Sequence, residues 1–407
     1  MYVNIYSVYL NGFPSLTGRL RGCAMLEIMD SLSRQAAQRT RELMEERASG
    51  TPLVVYGGRF IPSELICAAG ANVFPLLGSG ELPPADAAQD DMLSYMNPLA
   101  RAVAGGIKLG VDKITPRADI VVTSVTDIHM GRLSELLEFW GINVCKVGVP
   151  PDRQKDIAFG YYLRSLQAML ERVARITGRG PDMEEARRNF ADSNRIGAAF
   201  RHINELRKRR DPPISFENYM RLQHLSYVLG DRQAAGELTA LSKALDGASG
   251  VYGEGAPRLL LMGHAVVSGD YDLVRALDES GAVVSADIID DGVRVSERDV
   301  ELSGDLLENF ARNRYLDTLP TGNFIPSWEE RFRRALQLVE EYELDGVVWY
   351  QLAYDEVYDM EYGALARSLA ERDIPILQLE TSYTRSPEEL ARAKDKIERF
   401  VSSLKRR

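Results

Sequence analysis

Histidine, cysteine and carboxylate side chains move protons, attack carbonyls or hold metals, so their spacing sets the first limits on chemistry. The four histidines, at positions 129, 202, 224 and 264, lie too far apart for a local zinc signature, and Cys23, Cys67 and Cys145 form no CxxC pair. No metal site is expected from them. Three scattered cysteines also exclude a disulfide framework. Cys67, in Leu65-Ile-Cys-Ala-Ala-Gly70, and Cys145, within an apolar strand-like run, read as core residues. His129 and His264 each follow an apolar run, where an imidazole serves as acid or base or simply bonds the backbone. Gly78-Ser-Gly80 lacks the third glycine of a dinucleotide turn, and neither a Gly-Lys-Ser/Thr P-loop nor a Gly-x-Ser-x-Gly elbow occurs. Nucleotide binding and serine-hydrolase chemistry lack support. The run Arg207-Lys-Arg-Arg210 reads as a solvated helix end, with a phosphate clamp as the rarer alternative.

The elements that must position these groups alternate between strand and helix. A charged amphipathic helix over 26–48 precedes a strand at 53–56, a helix at 64–69 opened by Pro62 and Ser63, and a strand at 72–77. Strands at 119–124 and 142–147 flank a helix at 133–140, which completes a Rossmann-like domain over 25–157. From 158 to about 245 the pattern is helix upon helix, broken at 178–181 and 211–213, and the glycine-rich run 246–255 reads as a flexible hinge. A second series follows: strands at 258–262, 281–286, 345–350 and 374–379, with helices at 270–280, 360–371 and 387–404. The expected fold is α/β, two Rossmann-like parallel-sheet domains (25–157 and 251–407) joined by a helical segment (158–250), with 1–24 a peripheral extension. Ligands of such sheets sit beyond the C-terminal strand ends, which selects 124–129, 263–264, 351–356 and 381–383 as polar, cleft-facing groups.

The chain has 407 residues, 45% of them hydrophobic and 27% charged, the balance of an ordinary globular protein with room for two or three domains. With 49 Lys and Arg against 59 Asp and Glu, its net charge of -10 repels polyphosphates, so nucleic acid is not an expected partner. No run approaches the roughly 20 apolar residues of a membrane span, and the first 20 residues lack the pattern of a signal peptide. A cytoplasmic protein without membrane partners is expected.

Several ordered landmarks resemble the D-component subunits of 2-hydroxyacyl-CoA dehydratases and the related subunits of ATP-dependent benzoyl-CoA reductases. They are Ile61-Pro-Ser-Glu-Leu-Ile-Cys-Ala-Ala-Gly70, Asn97-Pro98, Thr126-Asp127, 141–150, Asn194-Arg195, 312–316, 330–334, Asp345-Gly-Val-Val348 and Asp373-Ile-Pro-Ile-Leu-Gln-Leu-Glu380. The similarity runs from about residue 50 to the C-terminus. It implies a heterodimer of homologous subunits, each typically holding a 4Fe-4S cluster through three cysteines. It also implies an ATP-dependent activator protein that injects an electron, and radical chemistry on an acyl-CoA thioester. This chain departs from that pattern: the family cysteines fall at Asn97, at Thr126 and near Ala353 or Tyr354, where thiolates are missing.

The resemblance therefore implies a ligand-depleted subunit of a dehydratase or reductase-type complex. It would help to form the acyl-CoA site, bind no cofactor firmly itself, and leave the 4Fe-4S cluster to its partner. Glu64 and His129 are the expected proton handlers, and Asn97, Thr126, Asp127, His264 and Tyr354 the expected substrate-binding residues. Two other expectations stand beside it: a cluster-independent acyl-CoA enzyme, and a non-catalytic assembly or scaffold protein.

Overall fold

The computed structural model describes residues 23–76, 87–290, 297–325, 327–383 and 386–406. Residues 1–22 of the expected extension, Leu77 of the second expected strand and the Gly78-Ser-Gly80 run lie outside the described residues. The chain opens with α1 (Cys23–Ala48) and continues as β1 (Leu53–Gly57), α2 (Ser63–Ala68), β2 (Asn72–Pro75), α3 (Pro98–Lys108), β3 (Ile120–Val125), α4 (Ile128–Phe139) and β4 (Val144–Gly148). Four helices follow: α5 (Asp156–Thr177), α6 (Met183–Arg207), α7 (Phe216–Leu229) and α8 (Asp231–Ala244). The second series is β5 (Arg258–Gly263), α9 (Asp272–Glu279), β6 (Val283–Ile289), α10 (Leu306–Arg312) with a π turn at Asn313–Asp317, α11 (Trp328–Glu341), β7 (Gly346–Leu352), α12 (Glu356–Ala370), β8 (Ile376–Thr381) and α13 (Pro387–Leu404).

Both sheets are wholly parallel, in the orders β2-β1-β3-β4 and β6-β5-β7-β8. The fold is thus the expected pair of Rossmann-like parallel-sheet domains. Helices cover both faces of such sheets, which is why the central strands are apolar throughout: Leu53, Val54 and Val55 of β1, and every residue of β5 and β7, are buried. In each sheet the chain reverses direction of travel between the first and third strand, β1/β3 and β5/β7, leaving a crevice at their C-terminal ends.

Two helices begin earlier than their apolar periodicity suggests, because carboxylates cap them. Asp127 accepts from the Met130 backbone N–H at 2.9 Å and starts α4, and Asp355 accepts from that of Tyr358 at 3.2 Å and starts α12. Helix α3, which the apolar pattern does not announce, is set by Asn97 as cap, bonded to Leu99 N at 2.8 Å, with Pro98 in the first turn.

The helical segment is not a loose joint. One continuous apolar core holds Leu53 and Val121 of the first sheet, Phe200, Tyr219 and Leu238 of α6 to α8, and Leu259 and Val348 of the second sheet. The glycine-rich run is pinned: Val251 N donates to Pro212 O (3.0 Å), Tyr252 N to Asp211 Oδ1 (2.8 Å) and Tyr252 Oη to Asp278 Oδ1 (2.5 Å). Gly250 has no room for a Cβ, which would overlap the Asp211 carboxylate. Glycine serves close approach here rather than flexibility.

Within the basic run 207–210 the expected solvated helix end holds for Arg210, which is exposed, but not for Arg207. Arg207 is buried and donates to Asp287 Oδ2 (2.7 Å) and Val284 O (3.0 Å), with its guanidinium over the Tyr219 ring. Lys208 pairs with Glu205 and Glu341, and Arg210 with Glu343. The orphan carbonyls at the end of α6 are capped by buried Arg258, which bonds Arg209 O at 2.6 Å and Lys208 O at 3.1 Å.

Candidate active site between the two sheets

The C-terminal strand ends of both sheets open onto one cavity of about 200 Å³. From the first domain it takes Gly57 to Phe60 after β1, Ser124, Thr126 and Asp127 after β3, and the openings of α3 and α4. From the second it takes His264 to Ser268 after β5 and Asp290 after β6. Helix α7 adds His224 and Tyr227, and the segment between α10 and α11 adds Thr321 and Asn323. Leu76, Leu99, Ala100, Val103, Val266 and Val267 make one wall apolar, which suits a ligand with an apolar and a polar part.

On the first-domain side the polar groups form two separate pairs. Thr126 Oγ1 donates to Asp127 Oδ2 at 2.9 Å, and Asn97 N donates to His129 Nδ1 at 3.3 Å. Because Nδ1 accepts, a neutral His129 carries its proton on Nε2. Gly58 permits the turn: its φ is +92°, and a Cβ there would lie 2.1 Å from Ser124 Oγ, which donates to Gly57 O at 2.8 Å.

His264 is more tightly held, with 9% of its surface exposed. Its backbone N–H donates to Tyr350 O at 2.8 Å, and its Nδ1 accepts from Ala265 N at 2.8 Å. The neutral ring therefore bears its proton on Nε2, 3.7 Å from Asp355 Oδ2. Burial raises the Asp355 carboxyl, His264 opposes the rise, and Asp290 and Asp127 add to it. The Asp127 contribution comes from the other domain. Asp290 is compensated by the Tyr358 hydroxyl and by Arg331, 3.9 Å away.

His224, which strand-end reasoning passes over, is buried. Its Nε2 donates to Val266 O (2.9 Å), its Nδ1 accepts from Tyr271 Oη (2.6 Å), and burial lowers its pKa to about 4. It is a neutral wall residue. Asn97, Thr126, Asp127, His129 and His264 all line the cavity. Tyr354 does not: it is 52% exposed, with a left-handed φ of +64°. None of residues 381–383 lines it either; Tyr383 packs with Ala102, Val267 and Leu352.

Glu64 also lies outside the lining. It is 4% exposed in the first turn of α2, and Ser193 Oγ sits 2.7 Å from its Oε1 and 2.9 Å from Asp231 Oδ2. A hydroxyl has one proton to give, so the second carboxyl must carry its own. Burial, with Glu64 beside it, accordingly raises Asp231 to about 7. This pair fastens α2 to α6 and α8.

The donor set does not fit an iron-sulfur cluster. Asn97 and Thr126 supply an amide and a hydroxyl where thiolates are required. Cys67 is half-buried on α2, its thiol pushed up by burial, Asp231 and Glu64, and Cys145 lies on β4 with its thiol raised by burial; neither lines the cavity. Among the described residues no three His, Cys, Asp or Glu side chains gather as metal ligands do, and no helix is long and apolar enough to cross a membrane.

Comparison with known proteins places this architecture. The model of the 2-hydroxyglutaryl-CoA dehydratase D-component matches residues 59–404. The chain belongs to this D-component family. Over 383 residues it is 24% identical to the "Putative dehydratase subunit YjiM" of Escherichia coli (strain K12), an alignment covering 93% of this chain and 98% of that one. Among solved structures, the periplasmic zinc-binding protein TroA of Treponema pallidum aligns with 87% of this D-component chain and 99% of its own. The identity is 13% and the TM-score 0.21, too low to relate the two folds.

Proposed function

We propose that this D-component is the cluster-free subunit of a heteromeric 2-hydroxyacyl-CoA dehydratase, and that its interdomain cavity contributes to the acyl-CoA site beside a homologous, cluster-bearing chain. The observation that carries the reading is the cavity itself. It lies at the facing switch points of both sheets and is lined by Asn97, Thr126, Asp127, His129 and His264, yet offers no thiolate. Proton handling then falls to the two histidines. Each accepts a backbone N–H at Nδ1, so the neutral ring offers Nε2–H as its hydrogen-bond donor. Asp355, near Nε2 of His264, stabilises the charged ring, which forms only if Nδ1 takes the second proton and gives up its bond from Ala265 N. The apolar wall excludes water from the acyl chain.

Anaerobic purification of the tagged chain from its native host, with mass spectrometry of partners and iron and sulfide counted per chain, tests the proposal. A homologous cysteine-bearing partner that alone carries the iron is the expected result. Iron on the isolated chain overturns the cluster-free assignment. Aerobic turnover without a partner favours a cluster-independent enzyme, and complex activity unchanged by His264→Gln favours a scaffold.

A further inference from the structure

The turn between α10 and α11 contributes a hydroxyl to the cavity lining. Thr321 lines the cavity and is 5% exposed, and its Oγ1 is buried without a hydrogen-bond partner. Buried hydroxyls are almost always bonded, so an orphan on a residue of the cavity lining is a candidate for completion by a ligand atom.

The backbone of the turn is held in place by its surroundings. Phe324 N donates to Thr321 O at 3.2 Å, and Phe324 packs edge-on against Phe60 and Tyr315 with ring centroids 5.7 and 5.5 Å away. Gly322 lies so close to Tyr358 that a Cβ would approach its ring to 2.9 Å. Arg59, from the loop after β1, donates to Leu319 O at 3.4 Å. The turn thus bridges the two domains across the cavity, and its backbone is held from both.

We propose that Thr321 is a specificity-determining residue whose hydroxyl pairs with the C2 hydroxyl of the bound acyl group. The inference rests on the acyl-CoA reading above. A threonine hydroxyl both gives and accepts a hydrogen bond, and an alcohol matches it in both senses. A ligand carboxylate fits less well, because Asp127 and Asp290 share the cavity.

The test is calorimetric titration of the full chain, as purified with its partner, using lactoyl-CoA and propionyl-CoA, which differ only by the C2 hydroxyl. Wild type should bind lactoyl-CoA roughly tenfold more tightly, the worth of one well-placed hydrogen bond. Thr321→Val should erase that preference while leaving propionyl-CoA affinity unchanged, and Thr321→Ser should keep it. Equal weakening of both thioesters in Thr321→Val, or an unaltered preference, overturns the inference and leaves the proposed function standing. Binding of neither thioester by wild type overturns both. Without ligand, the Tm of Thr321→Val should equal or exceed that of wild type; a clear fall means the hydroxyl is bonded within the protein, which also overturns the inference.

Discussion

The two αβ domains share a strand order but equip their halves of the cleft differently. After β1 the first domain places Gly58 against a side chain, Ser124, and its polar groups Asn97, Thr126 and His129 stay half-buried. After β5 the second places Gly263 against backbone: φ is +127°, and a Cβ would lie 2.0 Å from Tyr350 O. The next residue, His264, is buried and fixed at both its backbone N–H and Nδ1. One residue, Thr126, separates β3 from its capping aspartate, whereas two, Ala353 and Tyr354, separate β7 from its own. Tyr354 takes up the extra residue by adopting a left-handed conformation. The same topology thus yields a yielding wall and a rigid one. Preorganised chemistry belongs on the rigid wall.

The sharpest break of that comparison is at the histidines. His264→Gln should lower turnover of the complex by about 100-fold or more, within the range for a positioned acid or base, while His129→Gln lowers it only about tenfold; steady-state kinetics decide. Next come the glycines. Gly263→Ala should cost about 3 kcal/mol or more in urea unfolding, because a carbonyl in a parallel ladder cannot retreat. Gly58→Ala should cost about 1–2 kcal/mol, and Ser124→Ala in the same chain should restore part of it. Equal costs at the two glycines would dissolve the distinction between the walls.

A pH effect follows where the helical segment meets α2 of the first domain. Asp231 rises from the ordinary 3.8 to about 7 in the folded chain, so the native state binds the proton more tightly than the unfolded one. Its contribution is fully favourable below pH 4 and is lost as pH climbs to about 7. Asp231→Asn should therefore flatten that slope and raise stability at pH 8 by about 1–2 kcal/mol, read as Tm against pH. The smallest effect is at the inserted residue of the other side. Tyr354→Gly should stabilise the chain by up to about 1 kcal/mol, by relieving a left-handed tyrosine whose ring is half in solvent.

Much of the scaffold was legible because its strands are short apolar runs bounded by glycine, proline and aspartate, as in Leu53-Val-Val-Tyr-Gly57 and Gly346-Val-Val-Trp-Tyr-Gln-Leu352. Helix starts were read late where Asp127 and Asp355 cap, since caps leave no periodic trace. Strand-end reasoning found His129 and His264 but also picked out Tyr354, whose exposure follows from a backbone φ that no spacing reveals. Glu64 has the look of a cleft carboxylate in sequence, and only the fold shows it paired through Ser193 with Asp231, far along the chain. Thr321, Arg59 and His224 escaped because they reach the cavity from a long turn, a loop and a helix whose patterns carry no chemical signature. The glycine-rich run misled through composition: glycine marks both freedom and close packing, and Asp211 beside Gly250 decides for packing here.

The uninterrupted core bears on how the chain is made. Helix α1 packs on α7 and bonds α8 through Gln35 and Glu237, and its Leu43 belongs to the same apolar cluster as Val348 and Ile397. During synthesis the N-terminal half thus emerges with surfaces whose covering residues have not yet been translated. A chain that ended before the second sheet would leave the apolar side chains of this shared cluster uncovered, the kind of surface that makes partly folded species prone to aggregate.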